Sequence, residues 1–140
     1  STLTTNFVTN GADIVFHAAG ATGTGVISEC QAQGIMAIGV DSDQNYLAPE
    51  TVITSAMKRV DNAVYATVEA LINGTLEGGI AVYDLTNEGV DIAPTTDLLP
   101  EEVIKTVEEV KTKIMNGEIV VPATQADFEA AYGDVYELDE

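Results

Sequence analysis

Two short apolar runs, residues 14–19 and 35–40, flank a glycine-rich loop (Gly20-Ala21-Thr22-Gly23-Thr24-Gly25) and a short amphipathic stretch, residues 26–33. Nearly continuous apolar runs suit strands that are covered on both faces. Val26, Ile27 and Cys30 give the helix between them an apolar side, and Gly34 supplies its stop. The unit is therefore β-α-β, with parallel strands and a right-handed crossover. It implies an α/β fold, a three-layer Rossmann-like lobe with a mostly parallel sheet.

A strand that empties into a glycine turn before a helix leaves backbone N–H groups at the carboxyl end of the sheet, where α/β proteins bind ligands. Asp41 closes the second run and is placed to accept from hydroxyls of whatever sits on that turn. A third strand is expected at 51–56, and Lys58 follows it at the same sheet edge. A carboxylate and an ammonium across a pocket mouth hold a ribose by accepting and donating together. The pattern points to a sugar-bearing small molecule. Two other readings stand beside it. Gly23-x-Gly25-x-x-Ser28 approximates the dinucleotide fingerprint, although Ser28 replaces its third glycine and the match does not begin at the strand end. A tight strand-to-helix turn without a ligand also explains the glycines.

His17 precedes the turn and is expected either to pack in the core or to border the pocket. With no second histidine, no metal site of the usual type is expected, and no serine or cysteine elbow accompanies it. Asp41-Ser42-Asp43-Gln44-Asn45 resembles the start of a calcium loop, but Tyr46 and Val52 stand where glycine and glutamate are needed. Asp43 is then a turn or cap acid. Cys30, the single cysteine, is expected to be a buried, inert thiol.

The 140 residues allow one domain with a core, and 46% hydrophobic content excludes disorder. Five Lys or Arg against 23 acids give a net charge of −18, which repels polyphosphate backbones and excludes nucleic acid as a partner. Residues 1–10 are Thr/Asn-rich and read as a linker or truncated edge. Val60, Val64, Val68 and Leu71 recur at helical spacing up to Asn73-Gly74. Two extended pieces, 80–85 and 88–92, fit a hairpin or an irregular edge. Pro100-Glu101-Glu102 opens a helix with Val103, Val107, Val110 and Ile114 on its buried stripe. A last extended piece, 119–122, precedes an acidic peripheral tail, 123–140, which keeps Phe128, Tyr132, Tyr136 and Leu138 for docking.

The strings Gly11-Ala12-Asp13-Ile14-Val15-Phe16, Ala19-Gly20-x-Thr22-Gly23-x-Gly25, Gly39-Val40-Asp41-Ser42-Asp43-Gln44 and Thr54-Ser55-x-x-Lys58-x-Val60-Asp61 occur in that order. Together they resemble the basic-membrane-protein family of substrate-binding lipoproteins, the nucleoside-binding components of bacterial ABC importers. The resemblance implies a type I periplasmic-binding-protein fold in which two lobes close on a purine nucleoside. It covers residues 11–122 as the carboxy-terminal lobe alone, the amino-terminal lobe and the lipidated cysteine being absent from this chain. It implies that Asp41 accepts from ribose hydroxyls and Lys58 donates to them. Backbone contacts come from the turn at Gly20, Thr22 and Gly23, and Phe16 flanks the pocket, as does His17 at its border. The implied partners are a nucleoside, the missing lobe and an ABC permease, with no cofactor, no metal and no catalysis. The implied location is extracytoplasmic, at the cell surface or in the periplasm. The alternatives are a nucleotide-cofactor-binding lobe of an enzyme and a ligand-sensing domain of a regulator.

Overall fold

The computed structural model describes residues 2–133, so the docking expected of Tyr136 and Leu138 falls outside the described residues. Residues 1–105 and 106–140 form two compact units. The first contains the β-α-β unit. β1 (Ile14–Phe16) leads through a 3-10 turn (Gly20–Thr22) into α2 (Gly23–Gln33), and β2 (Met36–Asp41) follows, with α1 (Thr2–Thr9) ahead of them all. β3 (Val52–Lys58) and β4 (Val90–Ile92) complete a sheet of order β1-β2-β3-β4. β1, β2 and β3 are parallel, with Val15 opposite Ala37 and Asp41 opposite Met57. β4 is antiparallel, with Ala56 opposite Ile92.

The core lies between α2 and the sheet. Val15, Ile27, Cys30, Ala37, Ala48 and Val52 form it, with Val26, Ile35 and Leu47 packed against it. Each larger side chain among them contributes about 1.5–3 kcal/mol by leaving water. α2 stops as its glycine requires. Gly34 adopts φ +71°, and its N–H and that of Ile35 donate back to the last turn at Cys30 O. Cys30 is fully buried, and burial pushes its thiol pKa up, as expected of an inert thiol.

Several local expectations need correction. Residues 2–9 are helical rather than a linker, because tertiary contacts override the poor helix propensity of Thr and Asn. Thr4 is buried, and the Thr5 hydroxyl donates to Glu29 on α2 at 2.9 Å. β1 stops at Phe16, since Gly20 at φ +51° begins the turn, and β3 runs on to include Lys58. Residues 80–85 form no strand; Ile80 is 97% exposed, and the sheet edge is taken by β4 instead. Asp84 then caps a 3-10 turn (Leu85–Asn87) reciprocally with Asn87. α3 (Val60–Ile72) forms where its periodicity predicts, but none of its residues is buried.

α4 (Glu101–Met115) has Glu101 and Glu102 in its first turn and Lys113 in its last, as the sequence requires. Its apolar stripe is only half-buried, Val103 and Val110 remaining exposed. Gly117 at φ +74° follows it, and residues 119–122 carry no strand. In the second unit, α5 (Gln125–Tyr132) stands within the expected tail. Thr124 and Asp127 close a reciprocal cap at its start, and the rings of Phe128 and Tyr132 meet at 5.5 Å.

Candidate functional site

The parallel register sets Asp41 and Lys58 at the carboxyl ends of neighbouring strands. Asp41 lies opposite Met57, so Lys58 is one residue further on. Lys58 Nζ and Asp41 Oδ1 meet at 2.9 Å, with side chains 73% and 51% exposed. An ion pair this wet contributes about 0–1 kcal/mol to stability. Its geometry offers a ligand one acceptor and one charged donor side by side. The neighbouring cation is not available in the same way. Arg59 is held by Asp61 at 2.8 Å and also donates to Asn62 at 3.2 Å. Asp61 thereby keeps the Arg59 guanidinium above its ordinary pKa, and Arg59 in turn holds the Asp61 carboxyl below the usual range.

The glycine turn is largely self-bonded. Thr22 N donates to Ala19 O, the Gly23 amide to Gly20 O, and the Thr22 hydroxyl to Ala19 O at 2.6 Å. Thr22 is thus an element of the turn's own closure. His17 is 4% exposed and lies beneath the turn, its Cε1 only 2.0 Å from where a Cβ on Gly23 would stand. Neither ring nitrogen has a hydrogen-bond partner. Phe16 points to the opposite side of β1. With Phe7, Asn10, Gly11, Ala12, Ile14 and Val15 it lines an open groove of about 470 Å³. The structure therefore brings Asp41 to Lys58 and His17 to Gly23, and gives Phe16 its contacts in that groove. Phe16 is paired with Ile38, short of Asp41 along the sheet.

Sequence reasoning missed the residues behind the pair. Gln44 Oε1 accepts from Val40 N at 2.9 Å, and Gln44 N donates to Ser55 Oγ at 3.0 Å. A Cβ on Gly39 would stand 2.4 Å from Ser55 Oγ and 2.8 Å from Gln44 Oε1, so glycine alone leaves room for both. Asp43 accepts from Asn45 N at 3.0 Å, as a turn acid should, and its other oxygen accepts from the Thr95 hydroxyl beyond β4. The available signal is the Gly39-to-Gln44 string, in which the sequence assigns roles to Asp41 and Asp43 but none to Gln44. Among the described residues, no cluster of His, Cys, Asp or Glu suits a metal ion.

In a mostly parallel α/β fold, the carboxyl edge that carries the Asp41–Lys58 pair is where such folds bind ligands. The chain belongs to the Bmp family, ABC transporter substrate-binding proteins that are PnrA-like, whose model matches residues 1–125. It is 37% identical to basic membrane protein A of Borreliella afzelii over 129 residues, 89% of this chain and 40% of that protein. With basic membrane protein B of Borreliella burgdorferi it shares 35% identity over 141 aligned positions, 98% of this chain and 40% of the relative. The chain thus spans about two fifths of the length of the curated relatives it matches. In solved structures it is similar to an ABC transporter solute-binding protein from Aeropyrum pernix K1. There the TM-score is 0.72 at 26% identity, over 95% of this chain and 47% of that one. Its fold is also that of a transcriptional activator of the comK gene from Bacillus halodurans, with TM-score 0.79 at 22% identity over 86% and 43% of the two chains.

Proposed function

We propose that this chain is one lobe of an extracytoplasmic solute receptor that binds a nucleoside, a purine nucleoside first, and delivers it to an ABC permease. The observation that carries the reading is the Asp41–Lys58 pair at 2.9 Å on adjacent strand ends. Adjacent ribose hydroxyls each donate and accept, so they satisfy a carboxylate and an ammonium held side by side. Family membership supports a binding role in place of catalysis. The relatives' greater length supports a second lobe that closes over the ligand and supplies most of its desolvation. The turn at Gly20 and Gly23 flanks the ribose in this reading, with His17 behind the turn, whereas Phe16 lines the separate groove beside α1. Among the described residues no helix is long and apolar enough to cross a membrane.

The charge distribution favours a neutral nucleoside over its phosphate ester. Lys58 is already paired with Asp41, and Arg59 is tied to Asp61 and Asn62. Amide chemical-shift mapping tests the reading, with guanosine, adenosine, uridine, ribose, their monophosphates and NAD added in turn. Shifts at Gly20, Gly23, Asp41 and Lys58 with nucleosides, and none with monophosphates, are expected. A response to NAD alone overturns the receptor in favour of a cofactor-binding lobe.

A further inference from the structure

Asp41 reaches Lys58 from a strained backbone. Its φ is +70°, and Ser42 N donates across it to Val40 O at 2.8 Å. A three-residue turn closed around a positive central φ is the rare form of γ-turn, and it persists only where its surroundings over-determine it. An extended Asp41 would instead continue the alternation of β2 and project from the other face of the strand.

We infer that Gln44, seated by Ser55 and Gly39, is the positioning residue that holds Asp41 in this turn and so aligns it with Lys58. Its side-chain carbonyl accepts from Val40 N, the residue just before the strained position. Its own amide donates to Ser55 Oγ, fixing the end of the loop on β3. Ser55 is fully buried and lies opposite Gly39, while Lys58 lies three residues further along the same strand. The residue that enters the turn is thus fastened to Gln44, and Gln44 in turn to β3, the strand that carries Lys58. Removing the Gln44 acceptor leaves Val40 N without its partner and frees the turn to extend. The consequence for binding rests on the ribose-clamp reading above; the geometry does not, and is tested without ligand.

NMR of the unliganded full chain provides the test. Wild type should show a strong intraresidue amide–Hα Overhauser effect at Asp41, the mark of a positive φ. Lys58→Met should shift its side-chain 13Cγ resonance. Gln44→Met, close in shape but without an acceptor, is expected to abolish both signatures. Gln44→Glu, which keeps the acceptor, is expected to retain them; general destabilisation would not produce that rescue. Should Gln44→Met fail to fold, Ser55→Ala decides by the same two signatures. Their survival in the folded Gln44→Met protein, or in Ser55→Ala where that protein does not fold, overturns the inference. If wild type binds guanosine, Gln44→Met should weaken it about tenfold, the worth of one charge-assisted hydrogen bond. Loss of both signatures in a chain that binds no nucleoside leaves the positioning role standing and removes the ribose clamp.

Discussion

Gly23 has no room for a side chain. A Cβ there would stand 2.0 Å from His17 Cε1 and 2.4 Å from its Nδ1, and the ring is buried. Gly23→Ala is therefore expected to destabilise the chain by about 1–3 kcal/mol in a denaturant titration. His17→Ala in the same chain should return part of that loss, a coupling that a double-mutant cycle reads directly. The sequence placed His17 at the turn but left open whether it packs or borders the pocket, because strand alternation alone cannot tell which face α2 covers. A second residue-scale effect concerns the carboxylates. The Thr86 hydroxyl, then its amide, holds the Asp84 carboxyl below its ordinary range, and Gln33 and Thr5 do the same for Glu29. A carboxyl depressed on folding contributes stability above its unfolded pKa, and that contribution is lost as pH falls through the folded value. Thr86→Val should consequently flatten the acid limb of thermal stability below about pH 4, near the unfolded carboxylate range. An unchanged acid limb would show that Asp84 does not contribute to it.

Elements were legible in the sequence where period and punctuation agreed. The apolar runs, the glycine turn and Gly34 delimit β1, α2 and β2 within a few residues, since strand coverage and helix termination are both local. Gly34→Ala should cost about 1 kcal/mol, because its φ of +71° disfavours any residue with a Cβ, and chemical denaturation would register it. α1 was not legible. Its threonines and asparagines are weak helix formers, and the segment is supported by contacts the sequence does not announce, among them burial of Thr4 and the Thr5–Glu29 hydrogen bond. The 80–85 run fails as a strand for the converse reason. It has β-propensity but no sheet partner, whereas Val90–Ile92 pairs with β3. Within the candidate site, Asp41 and Lys58 were readable from their places at strand ends. Gln44 was not, because its partners Val40 and Ser55 converge on it only when β2 and β3 are in register.

At the scale of the whole molecule, the net charge of −18 acts on every ligand that approaches the Asp41–Lys58 edge. The field of this charge, which opposes a polyphosphate backbone, also discriminates between small ligands. A neutral nucleoside is indifferent to it, whereas a monophosphate carries up to two negative charges into it. Local cations do not offset the field, since Lys58 and Arg59 are each engaged by an aspartate. The Debye length falls from about 30 Å at 0.01 M salt to about 8 Å at 0.15 M, so most of this repulsion is screened at the higher concentration. Guanosine affinity, read by chemical-shift titration, is therefore expected to change little with added salt. Guanosine monophosphate should bind weakest at low salt and recover as salt is added, narrowing the ratio of the two dissociation constants by about tenfold. A ratio that stays constant with salt would assign the discrimination to short-range contacts at the pair itself. Phosphate binding that strengthens at low salt would mean that Lys58 and Arg59 outweigh the surrounding acids, which the structure's pairing of both argues against.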